Sequence, residues 1–94
     1  MIRSFADEQT RRIWLGERAS RLPTDIQVVA MRKLRLLNAA ARLDDLRVPP
    51  GNRLEALRGD RNGQHSIRIN DQWRICFVWT EGGADDVEIV DYHR

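Results

Sequence analysis

The sequence predicts an α+β fold: a small antiparallel sheet with a two-helix hairpin packed on one face, in the order β-α-α-β-β-β-β. Three observations carry this. Residues 73–79 alternate, so that Trp73, Ile75, Phe77 and Trp79 share one side and Arg74, Cys76 and Val78 the other. Ile26, Ala30, Leu34, Leu37 and Ala41 recur at helical spacing, with Val29 and Leu36 widening the stripe. Asn62-Gly63 and Asn70-Asp71 divide residues 53–79 into three runs with turn chemistry between them.

Taken in order, residues 2–5 (Ile-Arg-Ser-Phe) alternate and suit a short edge strand. Asp7 is placed to cap a first helix, with Glu8 complementing the helix dipole, and the stripe of Ile13 and Trp14 ends near 16–19. Leu22-Pro23 interrupts. Thr24 and Gln27 then match a capping box, in which Thr24 accepts from the Gln27 amide. The second helix is the stronger and is expected to run to 43–45. Arg32, Lys33, Arg35 and Arg42 fall mainly on its outer side and read as a solvated face. Residues 48–52 (Val-Pro-Pro-Gly-Asn) cannot continue a helix and form an extended loop. The meander follows, with Ser66, Arg68 and Asn70 opposing Ile67 and Ile69. A loose turn is expected over 81–85 and a last strand over 87–91.

At 94 residues the chain is long enough for one domain, 1–94, with a modest core. The formal net charge is only +2, yet Lys33 is the only lysine among sixteen basic residues. Arginine presents a planar fork that pairs bidentately with phosphate or carboxylate. Positive charge gathers before residue 76; beyond it stand Glu81, Asp85, Asp86, Glu88 and Asp91 against Arg94. One cysteine allows no internal disulfide, and Cys76 reads as a packed thiol. Neither a membrane span nor a secretory signal is visible, so a cytoplasmic location is expected. There is no phosphate-binding glycine loop, no His/Cys cluster at metal spacing and no nucleophile turn. No cofactor and no metal are expected.

What remains is a set of polar groups on or beside the meander strands: Glu55, Arg58, Arg68, Arg74, Asp91, Tyr92 and His93. Cleavage of RNA without a metal needs such a set. One group must take the 2′-OH proton, cations must hold the phosphorane, and an acid must protonate the leaving 5′-oxygen. Glu55 or His93 fits base or acid, Arg58 and Arg74 fit the phosphate, and Tyr92 fits stacking on a base.

At these residues the chain resembles the HigB branch of the RelE/ParE toxin superfamily. The resemblance rests on Arg53-Leu54-Glu55-Ala56-Leu57-Arg58-Gly59-Asp60, then Gly63, Ser66-Ile67-Arg68, Asn70, Trp73-Arg74-Ile75, Phe77 and the terminal Asp91-Tyr92-His93. The opening Met1-Ile2-Arg3-Ser4-Phe5 fits as well, so nearly the whole chain is covered. It implies a RelE-like fold and the toxin of a type II toxin–antitoxin pair, cutting mRNA in the ribosomal A site without metal. It implies a HigA-type helix-turn-helix antitoxin, in a heterotetramer bound to operator DNA through the antitoxin. The implied catalytic set is Glu55, Arg58, Arg74, Asp91, Tyr92 and His93, with Arg3, Arg53 and Arg68 contacting RNA. Some relatives carry histidine at the position of Glu55. A carboxyl group ordinarily titrates far below neutrality, which implies either base duty for Glu55 with acid duty for His93, or weaker catalysis. Two alternatives stay open: a ParE-like inhibitor of DNA gyrase, and a weak or non-nuclease inhibitor of ribosome assembly.

Overall fold

The computed structural model describes residues 1–92. Helix α1 spans Glu8–Trp14 and α2 spans Thr24–Ala39; strands β1 (Glu55–Ala56), β2 (His65–Arg68), β3 (Trp73–Thr80) and β4 (Gly83–Asp91) follow. The strands form an antiparallel sheet in the order β1-β2-β3-β4. The expected α+β architecture is therefore present. The helices cover one sheet face. Ile13, Ile26, Ala30, Leu34 and Leu37 meet Ile67, Ile75, Phe77, Val87 and Ile89 in one hydrophobic cluster. The Thr10 hydroxyl, fully buried, accepts the Ile89 amide at 2.9 Å and fixes α1 to β4.

The N-terminal segment differs from expectation. It pairs parallel to β4, through isolated bridges at Ile2–Ala84 and Phe5–Val87, and not as a continuous antiparallel strand. The reason lies in β4. Cys76 pairs with Glu88 and Val78 with Asp85, so two residues of β4 oppose Phe77 alone. Asp86 takes φ +52°, as a bulge residue in the left-handed region does. That kink interrupts any ladder running alongside.

Three further local expectations are corrected. Pro23 holds the N-cap position of α2 with no side-chain cap, so the Thr24 capping box is not formed. Gln27 instead donates its side-chain amide to the carbonyls of Ala19 and Leu22, at 3.0 Å each. Second, α2 stops at Ala39, short of 43–45, because the Asp45 carboxylate captures the amides of Ala41 and Arg42 at 3.0 Å each. A 3-10 turn, Leu43–Arg47, begins there and buries Leu46. Third, the chain between β3 and β4 is not loose. Glu81 and Gly82 alone link Thr80 to Gly83, both with positive φ, as a type I′ hairpin turn requires.

The two turn signals resolve differently. Asn70 Oδ1 accepts the amides of Gln72 and Trp73 at 2.8 Å each, which is the side-chain turn expected of it. Asn62-Gly63 does not close a two-residue hairpin. It forms a type II turn, with Asn62 at φ −55°, ψ 134° and Gly63 at φ +92°, inside a loop over 57–64.

Asp45 and Asp85 give the fold an acid-sensitive term. The amides of Arg42 and Ala41 hold the Asp45 carboxyl below its ordinary range. Bonds from the Thr80 hydroxyl and from Arg3 do the same for Asp85. A carboxyl depressed on folding contributes stability above its unfolded pKa, near ~3.9, and loses it as pH falls through the folded value. Urea midpoints are accordingly expected to fall from pH 5 to pH 2.5, and to fall less steeply in Asp45→Asn and Asp85→Asn.

Candidate active site

Strand alternation decides which side chains face away from the helices. Ser66 and Arg68 on β2 and Arg74 and Cys76 on β3 take that face. The register sets Glu55 opposite Ser66, Ser66 opposite Cys76, and Arg68 opposite Arg74. Groups from three strands thus converge at one end of the sheet.

Arg74 is 8% exposed. Its Nε donates to the buried Ser66 Oγ at 2.7 Å and its Nη2 to the Arg53 carbonyl at 2.6 Å. A guanidinium held from two directions has lost most of its rotamer freedom before any ligand arrives. The Arg53 carbonyl can reach it because Arg53 lies in the left-handed region, at φ 45° and ψ 56°. For a residue with a Cβ that conformation costs about 1 kcal/mol. The preceding residue, Asn52, makes it possible. Asn52 is fully buried, and its Nδ2 donates to the carbonyls of Leu46 and Val48 at 3.2 and 3.3 Å. Its Oδ1 accepts from the Lys33 ammonium.

Lys33 therefore does not belong to the solvated face of α2, where its position in the stripe suggested it. It is buried against Asn52. Burial pushes its ammonium below the ordinary lysine range, and Arg32 and Arg68 add repulsion. Lys33, Asn52 and Ser66 are residues that sequence reasoning did not single out for the site. For Ser66 the signal was present, since it alternates with Arg68. For Lys33 and Asn52 there was none, because neither placement makes sense without the other.

A cleft of about 380 Å³ opens over Arg74, lined also by Arg53, Glu55, Arg68, Asn70 and Tyr92, with Asp71 at the rim. Three guanidinium groups thus stand against two carboxylates. Arg68 is ion-paired with Asp71, whose side chain is almost fully exposed; so open a pair is worth little and gives way readily to a stronger anion. Tyr92 is brought in by backbone pairing, its amide donating to the Gln72 carbonyl at 2.6 Å. Gln72 Nε2 donates to Asp91 Oδ2 at 3.1 Å, tying the end of β4 to the Asn70 turn.

Of the residues named from the sequence, Arg53, Glu55, Arg68, Arg74 and Tyr92 share this cleft. Asp91 is exposed beside it. Arg58 is exposed at the start of the 3-10 turn Gly59–Arg61 and is not among the lining residues. Arg3 lies at the opposite end of β3, about 23 Å along the strand at ~3.3 Å per residue. There it donates to the Thr80 carbonyl at 2.6 Å and to Asp85 Oδ2 at 3.0 Å. His93 lies outside the described residues. Burial raises the Cys76 thiol above its ordinary range, so it is a packed group and not a nucleophile. Among the described residues no three His, Cys, Asp or Glu side chains gather as a metal site, and no helix is long and apolar enough to cross a membrane.

A helical hairpin thus covers one face of a four-stranded antiparallel sheet, and an arginine-lined cleft opens on the other. Residues 3–93 match the family model described as the RelE-like toxin of type II toxin–antitoxin system HigB. The chain belongs to this family of HigB-like toxins. It is 41% identical over 85 residues to Toxin HigB-1 of Vibrio cholerae, covering 89% of this chain and 90% of that one. A Haemophilus influenzae protein whose name assigns no function is 36% identical over 84 residues, 88% of this chain and 83% of its own. A shorter match, 42% over 41 residues, covers 44% of this chain and 45% of Endoribonuclease HigB of Proteus vulgaris. As a toxin of a toxin–antitoxin system, the protein has an antitoxin for a partner.

Proposed function

We propose that this toxin is an endoribonuclease that cuts mRNA in the ribosomal A site without a metal ion. The observation that carries the reading is the buried Arg74 guanidinium, held by Ser66 and the Arg53 carbonyl beneath a cleft shared with Arg53, Arg68, Glu55 and Tyr92. The name of the Proteus vulgaris relative supports it.

In this reading Glu55 takes the 2′-OH proton and the 2′-oxygen attacks the adjacent phosphorus. The P–O5′ bond breaks, leaving a 2′,3′-cyclic phosphate and a 5′-hydroxyl. Arg74, with Arg53 and Arg68, holds the extra charge of the phosphorane, the task a divalent ion performs in metal-dependent nucleases. Arg58 steadies the flanking phosphate. Tyr92 stacks on a base, an interaction worth roughly 1–3 kcal/mol. His93 protonates the leaving 5′-oxygen, and Asp91 anchors the terminal segment through Gln72. The ribosome supplies the mRNA in a fixed, single-stranded path. The partner is a HigA-type helix-turn-helix antitoxin, in a heterotetramer that binds operator DNA through the antitoxin.

Purified toxin added to mRNA-programmed ribosomes is expected to give new 5′-hydroxyl ends, absent without ribosomes. A 2′-deoxy nucleotide at the scissile position is expected to stop cutting. Sulfur in place of a non-bridging oxygen is expected to slow cutting equally in Mg²⁺ and Mn²⁺. New ends bearing 5′-phosphate, or rescue by Mn²⁺, would contradict the mechanism. Intact mRNA together with loss of gyrase supercoiling would place the protein with the gyrase inhibitors.

A further inference from the structure

Helix α2 carries more apolar surface than its own core uses. Ile26, Ala30, Leu34 and Leu37 are buried against the sheet. Val28 stands 78% exposed on another side. With Met31 and Leu36, both half-buried, it forms a groove of about 560 Å³ edged by Arg32 and Arg35. Leu36 also lines a smaller hollow with Ala39, Ala40 and Val48, and Val48 is 71% exposed. The two hollows share Leu36 and make one continuous stripe, following positions 28, 31, 32, 35, 36 and 39 along one side of the helix. A helix that packs on a single sheet needs a single apolar stripe. A second, open to solvent and bounded by like charges, has the character of a contact surface.

We propose that this stripe docks the toxin's antitoxin, through an amphipathic segment carrying acidic side chains. The charge of the groove selects the occupant. Among the described residues neither Arg32 nor Arg35 makes an ion pair, and both flank the apolar strip at spacings that acidic groups on an opposing helix can meet. Asp45, the acidic residue of the adjoining hollow, already has its carboxylate engaged by the amides of Ala41 and Arg42. A second copy of this chain would bring arginines against arginines. The stripe lies on the helical side of the sheet, whereas the cleft opens from the face of Ser66, Arg68 and Arg74. The docking surface and the cleft are thus lined by different residues. The proposal rests on the toxin–antitoxin pairing and not on the nuclease reading.

The test is calorimetric titration of purified toxin with its purified antitoxin, in the absence of RNA. Val28→Glu, and separately Arg32→Glu with Arg35→Glu, are expected to weaken binding roughly 30-fold or more, as loss of an interface hot spot does. All these positions are exposed, so Tm is expected to stay unchanged, and both variants remain toxic when expressed alone. Affinity within twofold of wild type in both variants overturns the proposal. Concentration-dependent self-association abolished by Val28→Glu, with antitoxin affinity intact, assigns the stripe to a second copy and overturns it. Loss of ribosome co-sedimentation with antitoxin affinity intact assigns it to the ribosome and overturns it as well. A variant that escapes its antitoxin supports the proposal whether or not the protein cuts RNA.

Discussion

Arg74→Ala is expected to lower mRNA cleavage by about 10²- to 10³-fold, the usual effect of removing one preorganised donor from a developing anion. On induction, cells carrying it are expected to grow. The magnitude follows from how the guanidinium is held. Its Nε bond to Ser66 and its Nη2 bond to the Arg53 carbonyl fix its plane from within the protein. Little reorganisation is then needed when the phosphate gains charge. Arg74→Lys keeps the charge but cannot serve Ser66 and Arg53 in one geometry, so its activity is expected to lie between the two. The alanine variant also leaves the Ser66 hydroxyl and the Arg53 carbonyl without this donor. Its Tm must therefore be measured beside its activity. Loss of cleavage in a variant that melts normally assigns the effect to the site.

The second large effect is one of stability. Asn52→Ala removes three hydrogen bonds at a fully buried position. It leaves the Lys33 ammonium buried with no acceptor from Asn52. A buried polar group stripped of its partner costs about 1–3 kcal/mol, more for a charged one, so a loss of about 3 kcal/mol is expected. For a domain of this size each kcal/mol lowers Tm by about 4–8 °C. Thermal melts should place the variant some 12–24 °C below wild type. Asn52→Ala combined with Lys33→Met is expected to recover part of the loss, because the stranded charge goes too. If the double variant melts no higher than Asn52→Ala, the Lys33–Asn52 contact is not what makes the position sensitive.

Which features the sequence made legible follows from the range of the interactions behind them. The Asn70 turn was readable because its bonds run from one side chain to amides two and three residues on. The sheet face was readable because Ile67, Ile75 and Phe77 keep period two over whole strands. Once the hairpins are counted, Tyr92 must end near Arg74. By contrast, Asp45 ends α2 by competing for two amides, which helical periodicity alone does not reveal. The bulge opposite Phe77 and the left-handed Arg53 depend on contacts between distant segments. Lys33 looked solvated because its partner lies nineteen residues away, in a loop with no periodicity at all. Arg53 lines the cleft and the Lys33–Asn52 contact lies next to it in sequence, so the residues of the site were more visible than its support.

In the proposed mechanism one cationic cleft holds the scissile phosphate. The most direct measurement of this is the single-turnover rate at which one A-site codon is cut by saturating toxin. Arg53→Ala, Arg68→Ala and Arg74→Ala are each predicted to slow that rate, Arg74→Ala most. Arg12→Ala, an exposed change on α1, is predicted to leave it unchanged. Equal rates in all four variants would contradict the account.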